Sequence, residues 1–157
     1  MLCTIPGVGR RAAEVIITET GGDMSAFPSA KQLASWAGMC PGNDESAGKR
    51  RSGRTRKGSK WLRVALVEAA SAATRTNATY LSAQYRRLKA RRGHGRAIVA
   101  TAHSILASAW HMLSTGELYR ELGPDYYQRR DPQAAVRRLV RQLEALGQHV
   151  TLQPAVA

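Results

Sequence analysis

Apolar residues recur along this chain at helical spacing, with glycine and proline punctuating them. In residues 5–17 (IPGVGRRAAEVII) the small-residue turn Gly7-Val8-Gly9 opens a segment whose Ala12, Ala13, Ile16 and Ile17 predict a helix, and Gly21 is its stop signal. Ser29 and Gln32 fit a capping box, so residues 30–37 predict a second helix that turns Leu33, Ala34 and Trp36 towards a core. Ser59 caps a third helix over 60–74, where Leu62, Val64, Ala65, Leu66, Ala69, Ala70 and Ala73 form an almost wholly apolar, small-residue surface that calls for close packing. Residues 80–92 predict an amphipathic helix with Leu81, Tyr85 and Leu88 inside and Arg86, Arg87, Lys89, Arg91 and Arg92 outside. An alanine-rich helix follows over 97–113, then a short helical piece over 117–122. Asp131-Pro132 starts a last helix, apolar at Val136, Leu139, Val140, Leu143 and Leu146, which Gly147 ends. No strand-period run of useful length interrupts this series, and the fold is expected to be all-α, a compact helical domain.

Between the second and third helices lies SAGKRRSGRTRKGSKWLR, residues 46–63. Lys49, Arg50, Arg51, Arg54, Arg56, Lys57, Lys60 and Arg63 crowd into little more than one loop, with no acidic residue from Lys49 to Arg63. Gly48, Gly53 and Gly58 interrupt the cations, and Ser46, Ser52, Thr55 and Ser59 add hydroxyls. Arginine and lysine donors match phosphate oxygens, and glycine lets a backbone approach a ligand closely. A solvated basic linker has the same composition. The run leads straight into a helix that must be buried, which a free tether does not need, so this long basic Gly-rich loop reads as a phosphate-gripping segment. The first turn adds to it: apolar–Gly–apolar–Gly before a helix resembles the hairpin of a helix-hairpin-helix module. That resemblance implies that Gly7 and Gly9 bring backbone N–H groups and a helix N-terminus to a DNA phosphate.

The totals narrow the class further. The 157 residues carry a formal charge of +13, which suits a polyanionic partner and otherwise brings only self-repulsion. The helical segments hold Arg, Glu or His, so no span of about 20 apolar residues is available for a membrane. Cys3 and Cys40 stand apart without metal-ligand spacing, and reduced thiols in the cytoplasm are expected. His103 and His111, eight residues apart on one helix, are too far separated to share a metal. No cofactor is expected in the chain itself.

Three ordered blocks, IPGVGRRAAEVIITETGG, then F-x-S-A-K-Q-L-A-S-W-A-G-M-C-P, then the basic run, resemble the C-terminal domain of the one-ten family of insertion-sequence transposases. The resemblance continues through YRRLKARRGHGRA and the segment 110–119. It implies an all-α transposase C-terminal domain over 1–127, and the amphipathic helix and tail over 128–157 lie beyond it. It also implies a serine in the basic loop acting as the DNA nucleophile in strand cleavage, DNA transposition and recombination. Its partners would be an N-terminal RuvC-like domain holding magnesium on four acidic residues, a guide RNA, and further copies of the protein. By position, after the proline turn and before Gly-Lys, Ser46 matches that serine, and Ser52 is its nearest rival. A serine hydroxyl needs activation, and Lys49, Arg50 and Arg51 could stabilise the charge that builds on phosphate oxygens. Asp44 and Glu45 cannot replace four ligands from another fold. The sequence thus reads as a truncated or split transposase, inactive unless a RuvC-like domain is supplied in trans or from a neighbouring frame. The competing reading, a non-catalytic DNA- or RNA-binding module, needs only the charge and the glycine turn.

Overall fold

The computed structural model describes residues 1–41, 44–53 and 55–153; for 44–46 and 49–52 it describes the backbone alone. Two compact units follow one another along the chain, Met1–Pro124 and the residues from Asp125 onward. The first is built on helices α1 (Arg10–Thr20), α2 (Ala30–Trp36), α3 (Lys60–Arg75), α4 (Tyr80–Arg92) and α5 (His94–Thr115). The second holds α6 (Tyr126–Arg130) and α7 (Pro132–Ala145). The domain is all-α, as its periodicity predicts.

The core of the first unit lies where α3 and α5 meet. On α3, Leu62, Ala65, Leu66, Ala69, Ala70 and Ala73 are buried, and on α5 the buried set includes Ala97, Ile98, Thr101, Ala102, Ile105, Leu106 and Ala109. Small side chains let the helices approach closely, and the remaining helices pack around this pair: α1 on α3, α2 on α5, and α4 on both. Gly7 shows how tight the packing is. At φ +84° it faces α3, where an added Cβ would come within 2.3 Å of the Ala69 carbonyl oxygen and 2.5 Å of the Ala73 nitrogen. Only glycine serves there, on conformation and space together.

The helix boundaries follow their caps. Ser29 Oγ accepts from Gln32 N, Thr79 Oγ1 from Ser82 N, and Asp131 Oδ1 from Ala134 N. Gly21 and Gly116, in left-handed conformation, end α1 and α5. Gly93, at φ +78°, ends α4 and serves as N-cap of α5, which begins at His94, three residues before the expected start.

Three expectations are corrected. Trp36 is not core: it is 46% exposed and leans on Phe27, ring centroids 5.2 Å apart, because Leu33, Ala34 and Ala37 already fill the inner face of α2. Val64 likewise lies on the outer face of α3, with Trp61 and Glu68. Residues 117–122 form no helix. Tyr119 N donates to Thr4 Oγ1, and the Glu121 carboxylate accepts from Tyr80 N at 2.7 Å and Gly123 N at 2.9 Å. The segment therefore satisfies the start of α4 instead of its own helical ladder. In the second unit, α7 and its C-cap carry Val136, Leu139, Leu143 and Leu146 at 3-4-3 spacing, all of them exposed.

Candidate nucleic-acid interface

The basic loop is a fastened hairpin. Strand β1 (Asp44–Ser46) pairs antiparallel with β2 (Lys49–Ser52), Ser46 opposite Lys49 and Glu45 opposite Arg50. Asp44 pairs with Ser52, which leaves Arg51 as an extra residue in a bulge. The two-residue turn between the strands is Ala47-Gly48, with φ values of +51° and +73°. Both central residues are left-handed, as in the turn whose twist matches a hairpin's. Ala47 holds that conformation without glycine's freedom, at a cost of about 1–2 kcal/mol. The strained residue directly follows Ser46.

Below the strands, Pro41 and Thr55 form an isolated bridge. The returning chain then crosses the end of α2 backbone to backbone. A Cβ on Gly38 would lie 2.6 Å from the Arg56 carbonyl oxygen, and one on Gly58 would lie 2.3 Å from the Ala37 carbonyl carbon and oxygen. Arg63, in the first turns of α3, donates from one guanidinium nitrogen to the Gly38 carbonyl at 3.2 Å and to Thr55 Oγ1 at 2.9 Å. Ser59 caps α3 by accepting from Leu62 N at 3.1 Å, and donates to Glu19 Oε2 of α1 at 2.6 Å. Bridge, glycine crossing, arginine and capping serine fix both legs of the hairpin to the core.

The residues singled out from the sequence separate into groups. Ser46 ends β1, while Lys49, Arg50, Arg51 and the rival Ser52 lie on β2, so one hairpin holds the nucleophile candidates and three of the cations. Arg56, Lys57 and Lys60 follow as exposed side chains. Arg54 lies outside the described residues. Arg63 is half-buried and serves as a clamp within the fold. Gly58 is required by an internal crossing. Gly7 is pressed onto α3, whereas Gly9, the N-cap of α1, has open space where a Cβ would stand.

Beside the hairpin stem, sequence reasoning missed a polar cleft of about 1070 Å³. Met39, Pro41, Gly53 and Thr55 form one wall, and α5 forms another with Arg96, Val99, Ala100, His103 and Ser104. Arg63, Gln84 and Arg92 complete it. Gln84 Nε2 donates to Ser104 Oγ at 2.9 Å, and Ser104 Oγ donates to the Ala100 carbonyl. Gln84 Oε1, buried, has no hydrogen-bond partner among the described residues. Burial pushes the His103 imidazole below its ordinary value of 6.5, so it is neutral at physiological pH. The signal in the sequence was one face of α5, with Arg96, Val99/Ala100 and His103/Ser104 spaced a helical turn apart. Trp61, 73% exposed next to Lys60, was missed as well.

Among the described residues, no three His, Cys, Asp or Glu side chains are placed to hold a metal, and no helix is long and apolar enough to cross a membrane. Cys3 and Cys40 are free thiols.

A tightly packed helical unit that carries a fastened cationic hairpin defines a class of protein, and comparison with known sequences supplies the family. The family model described as "Transposase IS116/IS110/IS902 family" matches residues 1–86. The chain belongs to that transposase family. A Sinorhizobium fredii protein named as the y4pF/y4sB transposase is 34% identical over 125 residues, 76% of this chain and 32% of its own length. The 43.6 kDa protein of insertion element IS110 from Streptomyces coelicolor is 33% identical over 129 residues, 79% of this chain and 31% of its own. A Pseudomonas aeruginosa protein named as a family 20 transposase is 29% identical over 123 residues, 76% of this chain and 36% of its own. The chain thus spans about a third of the length of these relatives. No solved structure gives a significant match.

Proposed function

We propose that this chain is the DNA-handling, serine-bearing part of a transposase, with Ser46 as the nucleophile of strand cleavage. The observation that carries the reading is the attachment of the hairpin. Ser46 stands at the last strand position before a strained two-residue turn, paired with Lys49, on a hairpin whose legs are clamped at Pro41–Thr55, Gly38–Gly58 and Arg63. A solvated tether needs none of these fasteners, whereas a nucleophile must be held within reach of a phosphorus atom.

In this reading Lys49, Arg50, Arg51, Arg56, Lys57 and Lys60 neutralise DNA phosphates, and the Ser46 hydroxyl attacks a phosphodiester. The Oγ–P bond forms as the bond from phosphorus to a deoxyribose oxygen breaks. The serine proton passes to a base, and the departing oxygen is protonated. The phosphoserine link keeps the bond energy of the phosphodiester, so a second strand end can reverse the attack and complete recombination. The family resemblance assigns the acidic metal site to a RuvC-like domain, target choice to a guide RNA, and strand exchange to several copies of the protein. By itself the chain is expected to bind DNA without cleaving it.

The test is a denaturing gel of protein and labelled DNA after mixing this chain with a RuvC-like domain of the family, its RNA and magnesium. A covalent adduct is expected with the natural sequence and with Ser52→Ala, and none with Ser46→Ala. An adduct that survives Ser46→Ala but disappears with Ser52→Ala moves the nucleophile to β2. No adduct in any mixture, with salt-dependent binding retained, leaves the non-catalytic binding module.

A further inference from the structure

The cleft beside the hairpin combines positive charge with a recess. Its volume lies just above the usual range for small-molecule sites, about 300–1,000 Å³. Arg63, Arg92 and Arg96 line it, and among the described residues no acidic side chain does. Its walls at Met39, Pro41, Val99 and Ala100 are apolar, while Gln84, His103 and Ser104 are polar. A cation-lined cleft with apolar walls and a few fixed polar groups suits a flat heterocycle attached to a phosphate.

We infer that this cleft receives one unpaired nucleotide of a single-stranded nucleic acid, its base inside and its phosphate between Arg92 and Arg96. Gln84 supplies the specific contact. Its Nε2 is committed to Ser104, so its Oε1 is left as a buried acceptor without a donor among the described residues, an arrangement that costs stability until a donor arrives. An exocyclic amino group or ring N–H on a base edge is such a donor. His103, held neutral by burial, offers one ring nitrogen as acceptor and the other as donor, and so adds no charge against a neutral base. Duplex DNA keeps its base edges paired and cannot enter, so the occupant is an unpaired position of either DNA or RNA. The pairing edge of a base extruded from a stack is read in the same way by enzymes that act on single bases. The inference needs a nucleic-acid partner, as the proposed function does, but it does not need Ser46 to be a nucleophile.

The experiment uses the full chain and a short single strand of DNA with one central 2-aminopurine, whose emission is quenched by stacking. Among the described residues no aromatic side chain lines the cleft, so entry of that base should raise its emission severalfold. Gln84→Met removes the acceptor at nearly constant shape, and Ala100→Leu fills the cleft from an accessible helix position. Each should weaken single-strand affinity about tenfold and abolish the rise, with duplex affinity unchanged. Circular dichroism checks that each variant is folded. An RNA strand of the same sequence identifies the sugar: tighter binding of either, sensitive to both substitutions, supports the cleft. No rise at saturation, or folded variants that keep natural affinity and emission, overturns it, as does Gln84→Met weakening an acidic peptide and not the strand. Ser46→Ala should give the full rise, so failure of the cleft and failure of the serine reading are separable.

Discussion

Gly7 and Gly9 stand two residues apart and meet opposite surroundings. An alanine at position 7 would need a left-handed φ, costing about 1–2 kcal/mol, and would drive its methyl into the α3 backbone, where overpacking adds about 1–3 kcal/mol. Gly9 has φ −83° and open space. We expect Gly7→Ala to lower the urea midpoint sharply and Gly9→Ala to leave it nearly unchanged, as measured by equilibrium denaturation. A neutral Gly7→Ala would show that the turn is not pressed onto α3. The pair also decides how the turn can be probed on DNA, since only the position 9 variant changes the exposed surface without disturbing the core. The sequence identified this glycine turn but not the different environments of its two residues, because close approach of another helix leaves no local trace. Trp36 was misread for a related reason. Successive helical residues turn by about 100°, and once Leu33, Ala34 and Ala37 set the inner face of a seven-residue helix, position 36 falls outside it.

At the scale of elements, the hairpin was the hardest segment to read. Its residues do not alternate apolar and polar, and its turn is Ala-Gly, without the Asn-Gly or Asp-Gly signal. Its fasteners come from elsewhere: Gly38 at the end of α2, Arg63 on α3, and the Pro41–Thr55 bridge. Arg63 looked like one more phosphate ligand because sequence spacing does not show that a carbonyl 25 residues earlier takes its donor. The cations of the loop and Arg63 should therefore respond differently to substitution. Replacing Arg50, Arg51, Arg54 and Arg56 with Gln should make the plot of log affinity against log salt shallower by about 0.9 for each phosphate no longer neutralised, with the melting temperature unchanged. Arg63→Gln should instead lower the melting temperature, because the Gly38 carbonyl and Thr55 lose their donor. A salt slope unaffected by the fourfold substitution would move the duplex-binding surface to another part of the chain, with the arginine-studded α4 first in line.

On the scale of the molecule, the all-α class and most helix starts were legible because each rests on local chemistry: a 3.6-residue apolar period and a capping serine, threonine or aspartate. The cleft was not, since it joins α4, α5 and the hairpin stem, and no local pattern records their meeting. The charge of +13 indicated the kind of partner but not which cations were already engaged inside the fold. The Pro41–Thr55 bridge has one more consequence. Where two legs of a chain are already paired, what lies beyond them is a replaceable fitting, and the rest of the domain can fold without it. Excising residues 42–54 and joining Pro41 to Thr55 through Asn-Gly should give a shortened protein whose thermal transition, followed by circular dichroism, stays within a few degrees of the original, since a shorter loop costs less entropy to close. A drop of about 10 °C or more would show that the hairpin is woven into the folding unit. A preserved transition would make this domain a scaffold onto which the corresponding hairpins of its relatives could be exchanged, separating what each brings to nucleic acid from what keeps the protein folded.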